Sequence, residues 1–217
     1  MRIGRRLYWM AVRLPPTPRA PRLDRSQVVV LFYGALTVVA VMWAALRGQP
    51  NILIYGGRAP HRILHFVSSL AIGTAVGLLL VLLTRILQDR YAWARVLHNE
   101  FRELLGPLDQ REILLLAAAS AIGEECFFRG ALLPQLASLL PGLAGVVFGV
   151  VGSSALFALL HIGPGARFLP WTLSSLGVGV LLGTLYVGIG DLVAPIAIHF
   201  TINLLNLQDI VRRQMPA

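Results

Sequence analysis

The chain has 217 residues, of which 56% are hydrophobic and only 13% are charged. Soluble globular proteins carry about 25% charged residues, so this composition excludes an ordinary soluble domain and a disordered chain. The net charge of +9 comes from 19 basic residues, all arginines, against ten carboxylates. The arginines lie in short stretches between apolar runs and form no aromatic-basic pattern. The sequence therefore predicts a membrane protein that does not bind nucleic acid.

Taken in chain order, four regions are predicted. Residues 1–25 are rich in arginine and proline and form a basic N-terminal arm. Residues 26–84 contain two transmembrane helices. Residues 85–110 contain an amphipathic helix in the membrane interface, because apolar and charged residues alternate there at helical spacing. Residues 111–210 contain the remaining helices, which form one helix bundle.

The predicted fold class is all-α, a polytopic bundle of about six transmembrane segments plus the interfacial helix. A span needs about 20 apolar helical residues. The apolar runs cover residues 28–46, 63–84, 113–136, 143–161, 168–189 and 192–207, the last being short. Fifteen arginines fall on one side of these spans and three on the other. The positive-inside rule then predicts a multi-pass protein of the inner (cytoplasmic) membrane with both termini in the cytoplasm.

Glycines spaced four residues apart recur in three of the apolar runs. These pairs are Gly73 with Gly77, Gly145 with Gly149, and Gly179 with Gly183. Small residues at this spacing allow two helix backbones to approach closely. We therefore expect each pair to mark a helix packing contact.

Two adjacent glutamates, Glu124 and Glu125, lie deep in the third apolar run, about 16 Å along the helix from its start. Ionisable residues at membrane depth are functional candidates because their burial is costly. Glu125 and Arg129 are four residues apart and share a helix face, so they are expected to form an ion pair. Glu124 points about 100° away from Glu125 and is left as the candidate general base.

Two histidines lie in or at the end of later apolar runs. His161 ends the fourth run, and His199 lies in the sixth, four residues before Asn203. One face of the last helix therefore presents an imidazole and an amide together. Two such histidines with a buried glutamate favour a catalytic site over isolated interhelical hydrogen bonds.

The remaining histidines and the cysteine have ordinary interpretations. His98 falls in the interfacial helix, where it is expected to be solvated. His61 and His65 are four residues apart and are a weak metal-binding candidate, because Arg62 stands where a zinc helix of the His-Glu-x-x-His type has its glutamate. The single Cys126 excludes an internal disulfide and a cysteine-based zinc site.

The sequence resembles the CPBP family, the CAAX-prenyl-protease-like and bacteriocin-processing intramembrane proteases that are also called the Abi family. The resemblance rests on three motifs in order: EECFFR at 124–129, FALLH at 157–161 and HFTIN at 199–203. It covers roughly residues 112–207. The resemblance implies an all-helical membrane protein that hydrolyses a peptide bond in a cavity within the bilayer.

The resemblance also implies roles for the motif residues. Glu124 would activate water with help from His161, while His199 and Asn203 would stabilise the oxyanion. Glu125 and Arg129 would support the site. No cofactor is expected. Zinc held by Glu124, His161 and His199 is kept as an alternative, because these are acceptable ligand types for a hydrolytic metal.

Two further function classes are compatible with buried glutamate and histidine. A proton-coupled transporter usually has two related halves, and the two halves of this chain do not match. A non-enzymatic immunity-type membrane protein would tolerate loss of the motif residues, all of which are present. We therefore expect an intramembrane peptidase whose partners are the lipid bilayer and a membrane-anchored peptide or protein substrate. The absence of lysine is typical of a GC-rich, and hence bacterial, genome.

Overall fold

A computed structural model describes residues 24–49, 51–57 and 63–216. In this part of the chain the α-helices are α1 (Arg25–Leu46), α2 (Ile63–Arg90), α3 (Ala92–Leu105), α4 (Gln110–Glu125), α5 (Leu133–Ala137), α6 (Gly142–Leu159), α7 (Leu169–Ile189) and α8 (Val193–Arg212). A π-helical segment, Cys126–Leu132, joins α4 to α5, and short 3₁₀ turns cover Tyr55–Gly57 and Ala166–Phe168. The only β-pairing within these ranges is one bridge between Ile54 and Asp191. The predicted all-α class is therefore confirmed.

The long helices have the character of membrane spans. Among the described residues, four helical segments are long and apolar enough to cross a bilayer: Arg25–Leu46, Ile63–Arg90, Gly142–Leu159 and Ala166–Ile189. Many of their large apolar side chains face outward. The structure is therefore that of a helical membrane protein. The helices that carry the glutamates and His199, α4 and α8, are not among these four, so six crossings stay a prediction.

The expected close contacts at the glycine pairs are confirmed. A Cβ atom on Gly73 would lie 2.5 Å from the Ala194 carbonyl oxygen, and one on Gly145 would lie 2.2 Å from the Leu140 carbonyl oxygen. Gly179 faces Ser154 in the same manner, at 3.0 Å from its Cβ. These glycines let α2 pack on α8, and α6 on both α5 and α7. The contact at Gly73 thereby brings α8, which carries His199, directly against α2.

The amphipathic helix differs from its predicted bounds. The helix through Arg85 continues α2 as far as Arg90, and the chain turns at Tyr91, whose backbone is extended. The amphipathic segment proper is α3, which begins at Ala92. Residues 1–23 of the predicted N-terminal arm lie outside the described residues.

The expectation that His98 is solvated is wrong. His98 is 3% exposed. Its Nδ1 atom lies 3.1 Å from Nε2 of Gln88, and its Nε2 atom lies 2.7 Å from the Arg213 carbonyl oxygen. The reason is that α3 packs against the ends of α2 and α8. The spacing of residues along α3 alone does not reveal this contact.

A second polar cluster lies at the other end of the bundle. Asp191, in the turn before α8, is buried and accepts hydrogen bonds from Ser69 and from the backbone of Val193. His65 Nε2 lies 2.6 Å from the same carboxylate. The loop before α2 pairs with this turn through the Tyr55 N–H and the Gly190 carbonyl, 2.9 Å apart. The cluster fastens α2 to the α7–α8 turn.

Candidate active site

The two glutamates end α4, immediately before the π-helical segment. Glu125 is fully buried, while the side chain of Glu124 is 12% exposed. A π-helical stretch is rare and often occurs at functional sites, because the extra residue per turn redirects side chains. The sequence predicted one uninterrupted helix here. The observed segment Cys126–Leu132 instead places Arg129 in the interior.

Glu125 and Arg129 form the predicted ion pair. Arg129 Nη1 lies 2.8 Å from Glu125 Oε1, and both side chains are completely buried. Arg129 Nη2 donates to the Gly179 carbonyl on α7 at 3.3 Å, and its guanidinium lies 4.5 Å from the centre of the Phe157 ring. Arg129 therefore connects the π-helical segment to α6 and α7. A buried guanidinium is costly unless it is paired and hydrogen-bonded, so these contacts stabilise Arg129 in the interior.

His199 is the second partner of Glu125, a contact that the sequence did not predict. Its Nδ1 atom lies 2.8 Å from Glu125 Oε1, so one oxygen serves both His199 and Arg129. A carboxylate accepts, so Nδ1 carries a proton. The other ring nitrogen, Nε2, lies 3.8 Å from Glu124 Oε2. Glu125 thus fixes the orientation of the imidazole that faces Glu124.

His161 approaches Glu124 from α6. Its Nδ1 atom lies 2.7 Å from the Phe157 carbonyl oxygen, which only accepts, so Nδ1 is the protonated nitrogen of the neutral ring. Nε2 then presents its lone pair, at 3.9 Å from Glu124 Oε2. The rings of Phe157 and Trp171 pack on the imidazole at centroid distances of 4.1 and 5.0 Å. These two aromatic rings hold the imidazole in place, and the contact with Trp171 was not predicted from the sequence.

Glu124 Oε2 is the point on which both imidazoles converge. Separations of 3.8 and 3.9 Å are too long for direct hydrogen bonds and suit a bridging water. Within the described part of the chain, this buried oxygen has no hydrogen-bond partner. Buried polar atoms are normally satisfied by protein or by water. The geometry is therefore that of a carboxylate and two imidazoles arranged around the position of one small polar molecule.

Asn203 lies on α8, one helical turn after His199. Its Nδ2 atom donates to Ser120 Oγ at 3.0 Å, and Ser120 precedes Glu124 by one helical turn on α4. Asn203 and His199 thus face α4 together, as their spacing predicted. Ser120 was not predicted as a partner, because serine in an apolar helix is usually bonded only to its own backbone. An amide has two N–H donors, so one of them is not used by Ser120.

Zinc held by Glu124, His161 and His199 stays an alternative to the metal-free site. Among residues 24–49, 51–57 and 63–216, no three or more His, Cys, Asp and Glu side chains are grouped so as to hold a metal ion. This includes the trio Glu124, His161 and His199. His61 of the other candidate pair lies outside the described residues. The absence of a metal cofactor stays a prediction.

One comparison with known proteins finds a family model that matches part of the chain. Residues 111–205 match the family described as type II CAAX prenyl endopeptidase Rce1-like. The matched segment contains all three motifs, and the match confirms the family resemblance predicted from them. It runs from the second residue of α4 into α8 and leaves α1, α2 and α3 outside. Neither a curated protein nor a solved structure matches the chain.

Proposed function

We propose, from the match to a family of endopeptidases and from the convergence of polar groups on Glu124, that this protein is an intramembrane endopeptidase. The observation that carries the proposal is the position of Glu124 Oε2, 3.9 Å from His161 Nε2 and 3.8 Å from His199 Nε2. Hydrolysis of an amide needs a base for the water proton and donors for the developing oxyanion. The groups around Glu124 supply both.

In this mechanism a water molecule donates its two hydrogens to Glu124 Oε2 and His161 Nε2. Glu124 takes one proton while the water oxygen attacks the carbonyl carbon of the peptide bond. The tetrahedral intermediate collapses, the C–N bond breaks, and Glu124 returns the proton to the departing nitrogen. The products are a carboxylic acid and an amine, and the carboxylate of Glu124 is regenerated.

His199 and Asn203 are the proposed oxyanion donors. A doubly protonated His199 donates from Nδ1 to Glu125 and from Nε2 to the oxyanion. Asn203 donates through the amide hydrogen that Ser120 does not take. Glu125 and Arg129 support these donors, since Glu125 holds the imidazole of His199 at 2.8 Å. Preorganised donors of this kind account for a large part of the rate acceleration in acyl transfer.

The proposed substrate is a membrane-anchored peptide or protein. The site lies between apolar helices, which favours a substrate that approaches from the lipid phase or from its surface. The arginine distribution supports an inner-membrane location, with both termini and the His161 end of the site toward the cytoplasm.

We expect Asn203→Ala to lower the rate of cleavage by about a hundredfold to a thousandfold, the usual cost of removing one oxyanion donor. Abundance and thermal stability should stay at the wild-type level, because Asn203 is only partly buried. The measurement is initial cleavage rate together with the thermal unfolding midpoint. The matched control is Ser120→Ala, which removes the partner of Asn203 but leaves its amide in place. Wild-type activity in Asn203→Ala would exclude it as an oxyanion donor.

Comparative proteomics tests the function itself. Membrane and secreted fractions are compared between cells with the wild-type protein and cells with Glu124→Gln. The proposal predicts new peptide termini that are present with the wild type and absent with Glu124→Gln, and these termini identify the substrate. Identical termini in both strains, combined with a Glu124-dependent change in solute or proton flux, would favour the transporter alternative.

A further inference from the structure

Helix α3 lies outside the segment that matches the family, yet one of its aromatic side chains reaches the start of α7. Phe101 packs on Phe168 and on Trp171, with ring centroids 5.1 and 4.9 Å apart and interplanar angles of 79° and 88°. Edge-to-face arrangements of this kind are favoured for aromatic pairs. Phe168 is 3% exposed and lies so close to Gly163 that a Cβ atom there would overlap its side chain. These contacts dock α3 onto the connection between α6 and α7.

The start of α7 holds His161 in two ways. The Trp171 ring packs on the imidazole, at a centroid distance of 5.0 Å and an interplanar angle of 60°. The next residue, Thr172, donates from Oγ1 to the His161 carbonyl oxygen at 2.8 Å. The hydroxyl group therefore fixes the backbone of His161, while the indole limits where its ring can lie. The contacts that begin at Phe101 thus end at the imidazole whose Nε2 atom lies 3.9 Å from Glu124 Oε2.

We propose that Phe101 is a positioning residue of the active site, which acts through Trp171 to hold the imidazole of His161 in its productive position. The hydrogen bond from Nδ1 to the Phe157 carbonyl oxygen fixes one atom of this ring. The place of Nε2 also depends on how far the ring tilts about that bond, which the packing of Trp171 restricts. A displacement of about 1 Å in a catalytic group can cost about a hundredfold in rate.

The inference rests on the proposed function and deepens it. The residues proposed to act on the substrate all lie within the family match, whereas Phe101 belongs to the amphipathic helix α3. The proposal therefore makes α3 part of the support of the active site and not only a contact with the membrane interface.

A matched control lies at the Asp191 end of the bundle. Tyr55 packs edge-to-face on Tyr186 at a centroid distance of 5.4 Å. Tyr55 and Phe101 are both half-buried. Phe101→Leu and Tyr55→Leu therefore each remove a half-buried ring from edge-to-face packing, but Tyr55 makes no aromatic contact with Trp171 or His161.

The test measures kcat, KM and the thermal midpoint of purified full-length protein, with a peptide that spans the cleavage site found by the proteomic comparison. We expect Phe101→Leu to lower kcat by about tenfold at an unchanged KM, because it displaces a catalytic group without touching the substrate. Tyr55→Leu should keep the wild-type kcat at a comparable loss of thermal midpoint. Trp171→Leu should lower kcat at least as much as Phe101→Leu. Trp171→Phe, which keeps an aromatic ring against His161, should restore most of the lost kcat.

The double variant with Phe101→Leu and Trp171→Leu tests whether Phe101 acts through Trp171. If it does, the double variant has the kcat of Trp171→Leu alone, because Phe101 has no other route to His161. Independent effects would instead multiply, as they do for sites that do not share a partner. A kcat reduced by the product of the two single losses would contradict the proposal.

The remaining outcomes separate this inference from the proposed function. If the wild type cleaves, Glu124→Gln does not, and Phe101→Leu has the wild-type kcat, the role of Phe101 is wrong while the proposed function stands. An equal fall in kcat in Tyr55→Leu likewise contradicts a role specific to Phe101. If Glu124→Gln cleaves as fast as the wild type, the proposed function fails, and the inference fails with it.

Discussion

Glu124→Gln is expected to lower peptide hydrolysis by about a hundredfold to ten-thousandfold, the range that a positioned general base contributes. Glutamine keeps the shape of the side chain but does not take a proton from water. The side chain of Glu124 is partly accessible, at 12% exposure, so the variant should fold and insert normally. The measurement is cleavage rate of purified protein, with abundance and thermal midpoint determined on the same preparation.

Glu103→Gln is the control for this substitution, because Glu103 is an exposed residue of α3. It should leave both rate and stability unchanged. Near-normal hydrolysis by purified Glu124→Gln would make its role as base untenable. A loss of activity that merely follows a loss of folded protein would also count against that role.

Glu125→Gln is expected to reduce both stability and activity, whereas Glu124→Gln should reduce activity alone. Glu125 is the partner of the completely buried Arg129 and also of His199 Nδ1, each at 2.8 Å. Removing one member of a buried ion pair typically costs about 3 to 5 kcal/mol, because it leaves an uncompensated charge. The same substitution releases the imidazole that faces Glu124. We therefore expect lower abundance, a lower thermal midpoint and slower cleavage by the remaining folded protein.

The contrast between the two adjacent glutamates checks the division of roles. Thermal unfolding and abundance in isolated membranes separate Glu124→Gln, which should resemble the wild type, from Glu125→Gln, which should not. Equal losses of abundance and activity in the two variants would mean that the roles are divided wrongly. Arg129→Met, which removes the charge and keeps much of the volume, should lose less stability than Glu125→Gln, since the Glu125 carboxylate keeps His199 Nδ1 as a donor at 2.8 Å.

The features predicted correctly from the sequence are those set by spacing within one helix. Glu125 and Arg129 are one turn apart, so their pairing follows from helical geometry. The glycine pairs likewise mark close approach of helices wherever they occur. The order of the three motifs further predicted that Glu124, His161 and His199 belong to one site. Their chemical roles stay proposals.

The features that the sequence did not reveal depend on how helices pack against each other. Glu125 and His199 are 74 residues apart, and no local pattern relates them. The same holds for Ser120 with Asn203, and for His98, which is buried only because α3 lies across the ends of α2 and α8. The π-helical segment was not predicted, because its residues have the composition of an ordinary apolar α-helix.

The central claim is that Glu124, without a metal, activates the attacking water. The most direct measurement is elemental analysis of purified protein after prolonged chelation, with the cleavage rate determined on the same sample. The account predicts a protein free of zinc that cleaves at the untreated rate. Stoichiometric zinc whose removal abolishes cleavage and whose return restores it would contradict the account and make Glu124, His161 and His199 metal ligands.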